Sequence, residues 1–134
     1  VRYIKQHPDY ANAQIGLVSF CMGADASIIA FSKAKEVMQG VKFLVAVQPV
    51  SAETFVTSYL RAVYTPASLI LAPIVDWFIQ KRGGYALSAM SPISYAKDVQ
   101  VPVLHFQAPA DKWTTLEDTQ AIFDNYSSSD KELV

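Results

Sequence analysis

The sequence is poor in charge and contains no run of one sign. Charged residues make up 17% of the 134 residues, and eleven Lys and Arg against twelve Asp and Glu give a formal net charge of −1 at pH 7. Because no basic cluster is available to hold a phosphate backbone, nucleic-acid binding is not expected. A disordered tail is also excluded, since 51% hydrophobic residues supply a large core for a single domain.

Cysteine and histidine are scarce as well. A single cysteine, Cys21, excludes a disulfide within the chain, so the fold does not depend on an oxidising compartment. The two histidines, His7 and His105, show no metal-ligand spacing with it. Gly16 and Gly23 do not form a phosphate-binding loop. We therefore expect no metal ion and no other cofactor.

No apolar run is long enough to cross a membrane. The longest, residues 66–79, is interrupted by Asp76 and falls short of the roughly 20 residues that a spanning helix needs. The chain opens at Val1 without a charged-then-apolar leader, so no targeting signal can be read. We expect a cytoplasmic protein that does not bind membranes, and we interpret the sequence as an excerpt from a longer one.

Hydrophobic patterning alternates between strands and helices. Nearly continuous apolar runs, typical of strands covered on both faces, occupy residues 14–21, 42–47 and 101–106, and a fourth strand is predicted to begin at Lys131. A helix predicted over 24–39 links the first two strands into a parallel βαβ unit. The predicted fold is α/β, a mainly parallel sheet with helices on both faces, in one partial domain that comprises the whole chain.

About 50 residues separate the second and third predicted strands, far more than an ordinary crossover needs. Residues 52–98 are predicted to be a helical insertion, with helices over 52–64 and 66–82. The insertion is interpreted either as a layer packed on the sheet or as a lid over a pocket at the strand ends, with Trp77 and Phe78 as an apolar pocket wall. The inward stripe of the second helix is predicted to comprise Leu69, Ile70, Ile74, Trp77 and Phe78.

The most informative segment covers residues 15–24. A buried strand passes into a helix through Ser19-x-Cys21-x-Gly23, with small residues on both sides of the cysteine. This pattern is typical of a nucleophile elbow, a strained turn that projects one reactive side chain above a sheet. Cys21 is then expected at a helix N-terminus, where peptide dipoles favour a thiolate, and the backbone N–H of Met22 is expected to form half of an oxyanion hole. The alternative is an inert thiol in an apolar run.

A carboxylate follows the third predicted strand. Asp111 comes after a short turn and before a helix whose start is predicted from the capping box Thr114-x-x-Glu117. At the carboxyl end of a parallel strand, a carboxylate is well placed to orient a histidine. An ordinary loop aspartate is the alternative interpretation.

These segments resemble the C-terminal half of an α/β-hydrolase domain. Residues 16–23, Gly-Leu-Val-Ser-Phe-Cys-Met-Gly, are similar to the elbow of the dienelactone hydrolase-like branch, in which cysteine replaces the usual serine. Residues 91–96 and 101–106, followed by Asp111, are similar to the approach to the acid-bearing strand of many such hydrolases. The resemblance implies a catalytic order of nucleophile, acid and histidine.

The resemblance further implies hydrolysis of an ester, lactone or thioester, with Cys21 as the nucleophile, Met22 at the oxyanion hole and Asp111 as the acid. Family members carry their histidine after the strand that begins here near Lys131. His7 and His105 are expected to be a surface residue and a packing residue. We therefore expect activity in a longer parent protein and not in this chain alone.

Two alternatives stay open. A class I glutamine amidotransferase-like enzyme also places a cysteine on a strand–helix elbow, although no His-x-Glu pair is present here. A non-catalytic α/β-hydrolase-like module for binding or assembly agrees with the incomplete triad. The expected partner is a small ester-like substrate. Homo-oligomerisation is also expected, because the elbow strand would expose an unpaired apolar edge.

Overall fold

The computed structural model describes residues 1–134, which form an α/β architecture around one sheet. The strands β1 (Ile15–Phe20), β2 (Val41–Val47), β3 (Val103–Phe106) and β4 (Lys131–Leu133) lie side by side in that order, and each neighbouring pair is parallel. The predicted α/β fold with a parallel sheet is confirmed, including the fourth strand that begins at Lys131.

Seven α-helices connect or flank the strands, together with two short 3₁₀ turns at Pro8–Tyr10 and Leu87–Met90. The helices are α1 (Arg2–Gln6), α2 (Met22–Lys33), α3 (Lys35–Met38), α4 (Ala52–Tyr64), α5 (Ser68–Gly83), α6 (Ile93–Ala96) and α7 (Leu116–Asn125). The single helix predicted over 24–39 is in fact α2 and α3, since Ala34 leaves the helical region with φ −132° and ψ 46°. None of the helices is both long enough and apolar enough to traverse a bilayer.

The hydrophobic core lies between one face of the sheet and helices α2, α6 and α7. Ile28 of α2, Leu44 of β2 and Ile122 of α7 have no exposed surface and form its centre. Burying a side chain of this size stabilises the folded state by about 1.5–3 kcal/mol. This layer of apolar contacts fixes α2, and with it the turn that precedes the helix, against the sheet.

The start of α7 differs by one residue from the predicted capping box. Thr115 is the N-cap, and its hydroxyl accepts a hydrogen bond from the backbone N–H of Asp118 at 3.1 Å. The hydroxyl of Thr114 instead accepts a hydrogen bond from the side-chain amide of Gln107. The side chain of Asp118 is buried, whereas Glu117 is exposed. With the N-cap at Thr115 instead of Thr114, the carboxylate in the first turn of α7 that faces inward is that of Asp118.

The predicted inward stripe of α5 is wrong. Its five side chains are more than half exposed: Leu69 78%, Ile70 68%, Ile74 52%, Trp77 57% and Phe78 51%. The less exposed side chains of α5 include Leu71, Val75 and Ile79, which follow one another at intervals of four residues. Because α5 carries apolar residues on nearly every side, hydrophobic periodicity does not determine which side packs inward.

Helices are predicted on both faces of the sheet, but the core helices cover one face, and the opposite face presents apolar side chains to solvent. Val18 and Phe20 of the edge strand β1 are 60% and 64% exposed. Phe43 on β2 and Phe106 on β3 are exposed as well. Parallel sheets are normally covered on both faces. An uncovered apolar face beside an unpaired strand edge favours association between chains.

We predict that the 134-residue chain self-associates as its concentration rises, and that Phe20→Ser weakens this association by removing apolar surface from the uncovered sheet face. Light scattering across a dilution series measures the effect. Tyr3→Ser, which alters an exposed aromatic residue on α1, is the control and should associate as the parent does. A monomer at every concentration contradicts the prediction.

Candidate functional site

The carboxyl ends of β1, β2 and β3 meet at one edge of the sheet. Cys21 directly follows β1, Gln48 directly follows β2, and Asp111 lies in the loop after β3. Because β2 lies between the other two strands, Gln48 is placed between the cysteine and the acid. Two strand spacings amount to roughly 10 Å, a span that a side chain from another segment can occupy.

Cys21 occupies a strained turn between β1 and α2. Its backbone has φ 49° and ψ −127°, a combination that non-glycine residues rarely adopt. Its N–H donates to the carbonyl of Val47 at 2.8 Å, and its own carbonyl accepts from the N–H groups of Ala24 and Asp25. The thiol is exposed. The strand–turn–helix predicted around Cys21 is present, while its role as a nucleophile stays a prediction.

The residues on either side of the cysteine differ in what the structure requires of them. Met22 is the first residue of α2, so its backbone N–H has no acceptor within the helix and can serve a ligand oxygen. A Cβ on Gly23 would meet no atom within 4 Å, so packing within these residues does not require glycine there. The oxyanion role of Met22 stays a prediction.

Two hydrogen bonds orient the carboxylate of Asp111. Its Oδ2 accepts from the side-chain amide of Gln48 at 2.9 Å, and its Oδ1 accepts from the backbone N–H of Trp113 at 2.8 Å. Gln48 itself has a positive φ of 51°, and its N–H donates to the carbonyl of Phe106 at 2.8 Å. Sequence reasoning missed Gln48, although a polar residue directly after the apolar run of β2 marks the carboxyl end of that strand.

Two buried carboxylates hold the segment that leads from β2 into α4. Asp25 of α2, which is 4% exposed, accepts from the backbone N–H of Val50 at 2.8 Å. Asp118 of α7, which is 8% exposed, accepts from the N–H of Ser51 at 2.8 Å and from the hydroxyl of Thr54 at 3.0 Å. Successive N–H groups at the start of α4 are therefore bound from two different helices.

Burial raises the pKa of Asp25 to about 7, because desolvation penalises the ionised carboxylate. The hydrogen bond from Val50 lowers this pKa in part, and the nearby negative charge of Asp118 raises it further. Asp25 lies four residues after Cys21, on the first turn of the same helix. The charge state of this helix start therefore changes near neutral pH.

Neither histidine in these residues lies at the edge where Cys21 and Asp111 are found. His105 is within β3, fully buried, with its ring 5.9 Å from the ring of Tyr126, centroid to centroid. Burial lowers the pKa of His105 to about 4, so the imidazole is neutral at pH 7. His7 directly follows α1 and stacks with Tyr10. The packing role predicted for His105 agrees with the structure.

The aromatic residues near the acid differ from those that the sequence indicated. Trp77 and Phe78 lie together on the exposed side of α5, with ring centroids 6.4 Å apart, and their assignment to a substrate pocket stays a prediction. Trp113, two residues after Asp111, packs with Phe55 and Tyr59 of α4, at centroid distances of 6.1 and 5.7 Å. No cluster of three or more His, Cys, Asp or Glu side chains is arranged to hold a metal ion.

Comparison with known proteins identifies the fold. No family model matches the chain. A Bacillus subtilis (strain 168) protein described as "Uncharacterized protein YqkD" is 32% identical over 65 residues, which are 48% of this chain and 21% of that protein. The Pyrococcus furiosus esterase Pf2001 matches 99% of this chain with a TM-score of 0.65 and 17% identity. The chain has an α/β-hydrolase-like fold.

Other solved structures share the α/β-hydrolase-like fold. The esterase domain of a Rhodothermus marinus protein matches 99% of this chain with a TM-score of 0.61 and 16% identity. Pyrococcus horikoshii acylaminoacyl peptidase matches 98% of the chain with a TM-score of 0.59 and 18% identity, and the match covers 20% of the peptidase. The chain spans about half the length of the two esterase structures, with 48% of Pf2001 and 52% of the Rhodothermus domain covered.

We predict that Asp25→Asn removes a pH dependence of stability. The pKa of Asp25 is about 7 in the folded chain, against an ordinary value of 3.8, so ionisation of this carboxyl removes stability as the pH rises towards 7. His105, whose pKa burial lowers to about 4, contributes in the opposite direction in the parent and in the variant alike. Between about pH 5 and about pH 8 the contribution of Asp25 amounts to about 2–3 kcal/mol, so the free energy of unfolding of the asparagine variant should rise relative to that of the parent by this amount over the same range. Urea unfolding at a series of pH values measures the difference.

The control is Asp9→Asn, since Asp9 is exposed within the first 3₁₀ turn and should leave the pH dependence as in the parent. If Asp25→Asn unfolds with the same pH dependence as the parent, Asp25 is not the group that titrates in the folded state.

Proposed function

We propose that Cys21 is the nucleophile of a hydrolase that cleaves an ester, lactone or thioester. The observation that carries the proposal is the backbone of Cys21, with φ 49° and ψ −127°, which holds an exposed thiol between a parallel strand and the start of a helix. This conformation is the one that a nucleophile elbow requires. Structural neighbours with an α/β-hydrolase-like fold include esterases and an acylaminoacyl peptidase, which supports hydrolytic chemistry.

The proposed reaction has two stages. The thiolate of Cys21 attacks the carbonyl carbon of the substrate, and the backbone N–H of Met22 donates to the resulting oxyanion. The bond to the leaving group breaks, the alcohol or thiol departs with a proton from an imidazole, and a thioester with Cys21 remains. Water, activated by the same imidazole, then attacks the thioester carbonyl, releases the acid and regenerates the thiol.

Asp111 orients that imidazole in the proposal. Its carboxylate is held by Gln48 and by the N–H of Trp113, so one hydrogen bond fixes each oxygen and the remaining lone pairs can accept the imidazole N–H. The imidazole comes from a segment outside residues 1–134, because His7 and His105 lie elsewhere. The active form is accordingly a longer parent protein, proposed to be cytoplasmic and similar to the dienelactone hydrolase-like branch.

One observation favours a second candidate function. Without an imidazole at the strand ends, residues 1–134 hold a thiol and an oriented carboxylate but no group to transfer protons between them. A non-catalytic module that binds ester-like ligands through the same edge agrees with this arrangement.

We predict that the parent protein releases p-nitrophenol from p-nitrophenyl acetate and carries the acetyl group on Cys21 during turnover. Mass spectrometry of a rapidly quenched reaction locates the acetyl group. Cys21→Ala should abolish both release and acylation, because the proposed thioester forms on the sulfur that this change removes. Turnover by Cys21→Ala at the parent rate contradicts the proposal.

We predict that Asp111→Asn lowers kcat roughly 10²- to 10⁴-fold, since an amide no longer stabilises the protonated imidazole. Steady-state kinetics of the parent protein measures it. Asp124→Asn, an exposed position on α7, is the matched control and should retain the parent kcat. An Asp111→Asn protein with unchanged kcat would show that the acid lies elsewhere.

We predict that Gln48→Ala lowers kcat with little change in KM, because it frees the carboxylate of Asp111 without removing it. Gln48→Glu should lower kcat further than Gln48→Ala does. The carboxylate of Glu would stand where the amide of Gln48 donates to Asp111, and the two negative charges would repel each other. Equal kcat values for all three proteins would contradict a positioning role for Gln48.

A further inference from the structure

We infer that Phe55, Tyr59 and Trp113 form the surface that binds the leaving group of the substrate, and that they select an apolar, ring-containing alcohol. These three residues are called the aromatic trio below. The inference rests on the proposed function of Cys21 and goes beyond it by naming which part of the substrate is recognised, and by which side chains.

The aromatic trio joins α4 to the loop that carries the acid. Phe55 and Tyr59 are four residues apart, so they lie on the same side of α4, and both rings pack with Trp113. The backbone N–H of Trp113 donates to Asp111 Oδ1 at 2.8 Å. The trio and the carboxylate are therefore held in one unit.

Reaction geometry decides which part of the substrate meets the trio. The imidazole oriented by Asp111 gives its proton to the departing oxygen or sulfur, so the leaving group has to lie on the side of the acid. The oxyanion lies on the other side, at the N–H of Met22 where α2 begins. The inference places the trio on the side of the leaving group, because Trp113 is hydrogen-bonded to Asp111 and the other two rings belong to α4, the helix that follows β2.

The exposure of the trio agrees with a binding surface. Trp113 is 37% exposed and Tyr59 is 45% exposed, although each ring already has aromatic neighbours. Offset or tilted rings at centroid distances of 5.7 and 6.1 Å leave faces and edges open to a further ring. An apolar alcohol carrying a ring would cover this surface and remove it from water.

The experiment uses acetate esters with alcohols of similar leaving ability, ethyl acetate and 2-phenylethyl acetate, and the longer parent protein. The parent is expected to prefer 2-phenylethyl acetate in kcat/KM. Trp113→Ala and Tyr59→Ala should reduce this preference about tenfold. Trp113→Phe retains a ring at the same position and should restore most of the preference. The ratio for ethyl butyrate against ethyl acetate, which reports the acyl side, should stay unchanged in all three variants.

Tyr85→Ala is the matched control, because Tyr85 is 47% exposed, close to the 45% of Tyr59, but lies after α5 and outside the trio. The inference is overturned if Trp113→Ala and Tyr59→Ala keep the parent preference, or if Trp77→Ala alone abolishes it. Cys21→Ala separates the two levels of failure. Activity that survives this change overturns the proposed function, whereas activity that disappears while the preference is insensitive to the trio overturns the inference alone.

Discussion

The hydrogen bonds that hold residues 48–51 are the constraint on which the candidate site depends. This short segment connects β2 to α4, and side chains from three directions bind it: Asp111 from the acid loop, Asp25 from α2 and Asp118 from α7. The backbone N–H groups of Val50 and Ser51 are buried, and leaving one of them without an acceptor costs about 1–3 kcal/mol. The elbow helix, the acid loop and α4 therefore keep fixed positions relative to one another.

The candidate site depends on contacts between the carboxyl ends of all three strands β1, β2 and β3. The N–H of Cys21 is bound to Val47 at the end of β2, and Gln48, the next residue, binds Asp111. The end of β2 therefore positions both residues, with Cys21 on one side of the strand and Asp111 on the other. Asp25 connects the residues at the end of β2 to the core. It belongs to α2, which begins directly after Cys21, and it accepts a hydrogen bond from the N–H of Val50.

Sequence alone predicts the features that depend on local chemistry. Three apolar runs identify β1, β2 and β3, and small residues around Cys21 predict the turn. Features that depend on distant contacts are missed. Gln48 and Asp118 acquire their partners from segments more than 60 residues away, and no local pattern marks those pairings. The packed side of α5 is mispredicted for a related reason, because that helix is apolar all round and only its neighbours select a side.

The edge position of β1 affects the rigidity of the thiol. Within these residues β1 pairs with β2 alone, so the backbone groups along its outer side have no strand to bind. The strand that leads to the cysteine is consequently held in the sheet through a single ladder of hydrogen bonds. Opening of that ladder releases the strained turn, since the backbone angles of Cys21 persist only while the surroundings impose them. A further strand paired along the outer side of β1 would make these openings rarer. The sulfur of Cys21 would then spend more time in the position that the strained turn imposes.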